Sequence, residues 1–311
     1  MNRFGLLLTM VMVSLMFADG VWAGPKHYVA SYGLDTNPCT LTSPCRSFSH
    51  AVDVTDAGGE VIVLDTGGYG SVTITKSISI IAPVGMYASV TPGSDANGIT
   101  INAEATDTVL IKGLTIKGTP GSAYGIQAST VKRLIVDNCF ISELGIDGIY
   151  ISAPDSEVII LNSKFSSNNV GVMVYHSSGF VGISMNNVEM VNNYSGFYSY
   201  PAVGTARVFA TVTNSQFYNN TVALHSFSYY ASGASVLNLE HCIVSRNASG
   251  IYSHDNSATV TRLSNCTVTE NEYGVQKFSG SSGTIYTRQN NTIEGNETDV
   301  DGVTLTSFSP K

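Results

Sequence analysis

Aromatic and imidazole side chains recur about every 25 residues through the second half of this chain. Tyr150, Met173, Tyr198, His225, Tyr252 and Gln276 form one series; Ser152, Tyr175, Tyr200, Phe227, His254 and Phe278 form another, two positions further on. A tyrosine ring offers an apolar face and a polar tip, which suits a sugar ring or a protein surface. Tyr150, Tyr175, Tyr198, Tyr200, His225, Phe227, Tyr252 and His254 are therefore candidate ligand-binding residues. His225 and His254 could also serve as general bases. Other catalytic chemistry finds little support. Glycoside hydrolysis wants two facing carboxylates, and lyase chemistry wants a base and often a cation held by acids. The acids of this region include Asp137, Glu143, Asp147, Asp155, Glu157, Glu189, Glu240 and Glu270, with no Asp-Asp pair. None is expected to stack in adjacent coils beside a basic neighbour. Asp147 precedes Gly148 and reads as a turn residue, and Arg207, Arg246 and Arg262 read as isolated.

These rings share a surface only if the chain folds back on itself at their spacing. A second pattern says that it does. From about residue 113 to 300 the motif Asn-x-x-apolar-x-x-Asn-x-x-Gly repeats. Its first column is Asn138, Asn162, Asn187, Asn214, His241, Asn265 and Asn290; its second is Asn168, Asn193, Asn220, Asn247, Asn271 and Asn296. Glycine follows at Gly171, Gly196, Gly250 and Gly274, with Ala223 as the exception. A fixed period of this length marks a solenoid. It is too short for a strand-helix-strand unit, and the intervening segments alternate apolar and polar residues as strands do. The expected fold is all-β: a parallel β-helix of about ten coils. The asparagines would bond along a ladder of turns, and the glycines would supply permissive dihedrals. After each glycine, Ile149, Val172, Phe197, Leu224, Ile251 and Val275 would point inward and the two aromatic series outward. Sequons at Asn193, Asn219, Asn247, Asn265, Asn290 and Asn296 follow from the repeat and carry little weight. The strip is either a binding face or a surface covered by the neighbouring loops 176–179, 200–205 and 229–234 or by a partner chain.

The termini and composition set further bounds. Arg3, the apolar run Leu6–Phe17 and Val21-Trp22-Ala23 form an export signal over residues 1–23, too short to span a bilayer. The mature chain would be periplasmic or extracellular, with no membrane span. Residues 24–58 would form an N-terminal cap and 59–311 the β-helix. The cap holds a helix from Ser47 to Thr55 with Phe48, Ala51 and Val52 on its buried face, fit to plug the open end of a solenoid. A net charge of −8, with 12% charged residues and no basic stripe, excludes nucleic acid as a partner. Cys39 and Cys45 flank a short loop and are expected to pair in an oxidising compartment. Cys242 and Cys266 share a column one period apart and could pair or stay reduced, whereas Cys139 reads as a buried thiol. No spacing suits a metal, and no cofactor is expected.

The N-terminal segment carries a more specific likeness. Tyr28-Val-Ala-Ser, Gly33-Leu-Asp35, Pro44-Cys45-Arg46-Ser47-Phe48, Gly59-Glu-Val-Ile-Val-Leu-Asp65 and Gly68-Tyr-Gly70 resemble the opening of secreted right-handed parallel β-helix proteins of the pectin-lyase-like superfamily. The likeness continues through Thr73–Ile81 into the repeats. It implies right-handed coiling. That superfamily includes pectate and alginate lyases, polygalacturonases, epimerases and proteins of no known activity, and no catalytic signature of its enzymes carries over. Two functions are expected to compete: glycan binding on the aromatic strip, and cleavage of a uronate-containing polymer by a lyase or hydrolase.

Overall fold

A computed structural model describes residues 24–228, 233–255 and 258–308. The expected export signal at 1–23 and most of the loop 229–234 lie outside the described residues. The chain winds into a right-handed parallel β-solenoid of about nine turns, close to the ten expected. Three parallel sheets run its length, of twelve, ten and ten strands among the described residues. One coil shows the plan. Ser156–Leu161 lies in the first sheet, Lys164–Ser166 in the second and Val170–His176 in the third. Each strand pairs with its counterpart one period on: Ile159 faces Ser184, Phe165 faces Met190, and Val172 faces Phe197. The predicted inward column holds, with Ile149, Val172, Phe197, Leu224, Ile251 and Val275 all buried. Each such side chain contributes roughly 1.5–3 kcal/mol of hydrophobic stabilisation.

The two asparagine columns have different roles. Asn168, Asn193, Asn220, Asn247 and Asn271 are buried. Each donates its side-chain amide to the carbonyl oxygen of the next: Asn193 to Asn220 at 3.0 Å, Asn220 to Asn247 at 3.0 Å, and Asn247 to Asn271 at 2.9 Å. The sequons at Asn193 and Asn247 thus lie inside the ladder. Apart from Asn290, the first column sits on the outside in left-handed backbone, with φ of 49° at Asn162, 54° at Asn187 and 54° at His241. Asparagine tolerates this region better than most residues. The glycine column was expected to supply such dihedrals and does not. Gly171 and Gly196 are absent from the left-handed set; instead, a Cβ there would come within 2.6 Å and 2.5 Å of the next coil's carbonyl oxygen. Close backbone approach, rather than a turn, requires them.

Other expectations change as well. Stacking one period apart gives several acids a basic neighbour: Lys112–Asp137 at 2.8 Å, Arg133–Glu157 at 2.7 Å, Lys164–Glu189 at 2.6 Å and Arg246–Glu270 at 2.8 Å. Arg246 is therefore not isolated, and Arg262 lies over the Tyr286 ring. These pairs are largely exposed and contribute little each. Cys39 and Cys45 are bonded, while Cys139, Cys242 and Cys266 are free and buried. The cap helix spans Phe48–Val54, begins on the Ser47 side chain and buries Phe48, Ala51 and Val52. Phe48 packs on Tyr69 of the first coil, with ring centroids 5.1 Å apart. The strand Lys26–Val29 extends the first sheet by pairing with Glu60–Val63.

Candidate functional site

The third sheet carries the aromatic strip. Its strands include Asp147–Ile151, Val170–His176, Ser195–Pro201, Val222–Ser228, Ser249–Asp255 and Tyr273–Lys277. The register aligns Tyr150 with Met173, Met173 with Tyr198, Tyr198 with His225, His225 with Tyr252 and Tyr252 with Gln276. Tyr175 pairs with Tyr200, and Phe227 with His254. The rings touch as well as align. Tyr198 and His225 stack at 4.3 Å between centroids and 9° between planes. Tyr175–Tyr200 and Tyr200–Phe227 meet edge-on at 5.1 and 4.6 Å. His254 meets Phe278 at 4.1 Å. Tyr175 and Phe278 are the most open, at 38% and 49% exposed; Tyr150, Tyr198, Tyr200, His225, Phe227, Tyr252 and His254 are half-buried.

The strip has a neighbour that alternation alone did not reveal. A groove of about 510 Å³ runs beside the first aromatic column, lined by Tyr124, Tyr150, Tyr194, Tyr198, His225 and Tyr252. Its remaining wall includes Asp147, Val170, Ser195 and Val222, the residues just before the glycine column. Strict alternation would turn these side chains inward with Ile149 and Val172. The register runs unshifted from Asp147–Val170 to Ile149–Val172, yet both the residue before glycine and the residue two past it line the groove. Val170 is accordingly buried yet outside the main apolar core. Tyr124 precedes Gly125 in the same series and stacks on Tyr150 at 4.7 Å, extending the aromatic run by one coil.

The groove is polar in an unusual way. Asp147 is 4% exposed, and burial pushes its carboxyl up to about 7; the backbone N–H of Val170 counters this in part. His225 moves the other way. Burial, with the neighbouring His254, pushes it down to about 3. It stays neutral at physiological pH and is too weak a base for the general-base role that its residue type suggested. Its Nε2 and the Ser195 hydroxyl are buried without a hydrogen-bond partner. Tyr198 is pushed up to about 12, first by burial and then by nearby tyrosines. Among the groove-lining residues Asp147 is the one carboxylate, and none is Lys or Arg. Among the described residues, Cys39, Cys45 and His50 form the one cluster with metal-ligand proximity, and its two sulfurs are already in the disulfide.

A family model described as a right-handed β-helix region matches residues 53–205, 97–260 and 210–298. Among solved structures, the pectate lyase Pel9A is similar, at 14% identity over 93% of this chain and 78% of that one, with a TM-score of 0.55. The complex of XylC with xylose is similar at 10% identity over 84% of this chain and 68% of that one, with a TM-score of 0.60. No curated protein matches. At such identities the likeness is one of fold.

Proposed function

The chain belongs to the right-handed β-helix family, and on that footing we propose that it is an exported protein that holds a polysaccharide along its aromatic strip. One observation carries this: an unbroken series of ring contacts, from Tyr124 to Phe278, crosses adjacent coils of one sheet. A run of apolar rings left partly open on a surface marks an interaction site. A linear run of partly open rings, each with an apolar body and a polar tip, suits a linear polymer of sugars. The similar structures include a pectate lyase and a protein solved with xylose, which agrees with a glycan as the class of ligand. The export signal at residues 1–23 and the Cys39–Cys45 bond fit an oxidising location. Among the described residues, no helix is long and apolar enough to cross a membrane.

Cleavage of the polymer finds less support. Acid-base hydrolysis uses two carboxyls, and the groove provides only Asp147. The test combines an oligosaccharide binding screen with assays for new reducing ends and unsaturated uronates. Binding that is weakened about tenfold or more by Tyr198→Ala and by Tyr252→Ala, without turnover, is the expected result. Turnover of any uronate polymer would make the protein an enzyme instead.

A further inference from the structure

The groove beside the strip contains an electrostatic imbalance. Asp147 is a buried carboxyl with a single backbone N–H against it. The titratable groups that share the groove are Tyr124, Tyr150, Tyr194, Tyr198, His225 and Tyr252, none of which brings a positive charge at neutral pH. A buried carboxylate without a cation is costly. Proteins usually settle that cost with Lys or Arg, as this chain does on its own surface at Asp137 and Glu189. Here the walls are aromatic instead. A buried carboxyl in a groove walled by tyrosines, with no basic side chain in that groove, is complementary to a positive charge brought by the ligand.

We propose that the groove formed by Asp147, Tyr124, Tyr150 and Tyr198 is a subsite for a cationic amino sugar within a polysaccharide. This rests on the strip being a glycan-binding face, and it names the sugar class. The ring of a hexosamine unit lies against the tyrosines, and its ammonium donates to the Asp147 carboxylate. Ser195 and His225 line the same groove, and the Ser195 hydroxyl and His225 Nε2 are buried without a hydrogen-bond partner. A uronate is disfavoured, because its carboxylate would meet Asp147 without a counter-charge. Free amines carry the selectivity, so N-acetylation of the sugar removes it.

The experiment measures binding of four probes by calorimetry: oligomers of glucosamine, of N-acetylglucosamine and of galacturonic acid, and an oligolysine. The wild-type protein is expected to bind the glucosamine oligomer about tenfold more tightly than the N-acetylated one. Asp147→Asn should abolish that preference, bringing the affinity for the glucosamine oligomer down to that for the N-acetylated one. Wild-type affinity for the glucosamine oligomer should also strengthen as pH rises from 5 to about 6, where Asp147 begins to ionise while the sugar amines stay charged. This second readout does not depend on the variant folding. Equal binding of the acetylated and free-amine oligomers, or tighter binding of galacturonate, would overturn the proposal and leave the strip reading standing. Oligolysine binding as tightly as the amino sugar, with the same dependence on Asp147, would overturn the sugar assignment. If no oligosaccharide binds, the strip reading fails, and this proposal with it.

Discussion

Asp147 and His225 line the same groove and titrate against each other. Asp147 has a folded pKa of about 7, above its ordinary 3.8, so the fold favours its protonated form. Its contribution is present in full at low pH and is lost as pH rises towards 7. His225, at about 3 instead of 6.5, favours its neutral form. Its contribution is present above pH 6.5 and is lost as pH falls. The two slopes oppose each other where the windows overlap, each reaching at most roughly 1.4 kcal/mol per pH unit. Carboxyls such as Asp137 and Glu189, raised by burial but held low overall by Lys112 and Lys164, titrate below this range. Wild-type thermal stability should therefore fall only moderately on acidification from about pH 6.5 to 5, because Asp147 offsets one of the two buried, down-shifted histidines, His225 and His176. Asp147→Asn should leave the histidine slope unopposed, so that its midpoint drops by several degrees on acidification over the same interval. His176, also buried and shifted down, adds to that slope. Matching melt profiles for the two proteins would argue against the assigned burial of Asp147.

The turns of the solenoid use one residue type for two purposes, and substitutions should separate them. Asn220 accepts from the backbone and side-chain amides of Asn193 and donates to Met190, Tyr218 and Asn247. Asn220→Ala leaves several of these buried groups unpaired, at roughly 1–3 kcal/mol each. Urea denaturation should show a total loss of about 3 kcal/mol or more. Asn187 is exposed at φ 54° and makes one side-chain bond, to Asn162 at 2.9 Å. Asn187→Gly relieves left-handed strain while losing that bond, so its net effect should stay within about 0.5 kcal/mol. Comparable losses at the two sites would contradict the division of roles. The repeat made both columns visible in the sequence, because a fixed period demands the same residue wherever the same dihedral or the same buried amide recurs. It could not say which column was inside, because asparagine serves a left-handed turn and a buried ladder equally well.

Over the whole molecule, each coil contacts mainly its neighbours, so damage at one end should stay local. The Cys39–Cys45 bond holds the cap, where Tyr28 donates to the Cys39 carbonyl at 2.8 Å and Ala30 to that of Cys45 at 2.9 Å. Replacing both cysteines by serine should lower hydrogen-exchange protection across the cap and first coil, Lys26–Val63, and leave the strip strands from Val170 to Asp255 unchanged. Loss of protection throughout would mean that the solenoid unfolds as one unit. Glycan binding should survive the double substitution, since the strip lies several coils away.

The sequence by itself determined the fold class, the length of the coil, the buried column and the partners of Tyr198 and His225, because parallel stacking at a fixed period converts spacing directly into neighbours. It also marked the cap helix and the disulfide through local chemistry that needs no distant contact. Only the tertiary structure decided what lies beside the strip. Asp147, Ser195 and Tyr124 precede a glycine, where strict alternation places them inside. The folded chain instead brings them to the wall of the groove beside the strip. Burial then sets the charge states of Asp147 and His225, a property of the space around them that no local pattern of residues contains.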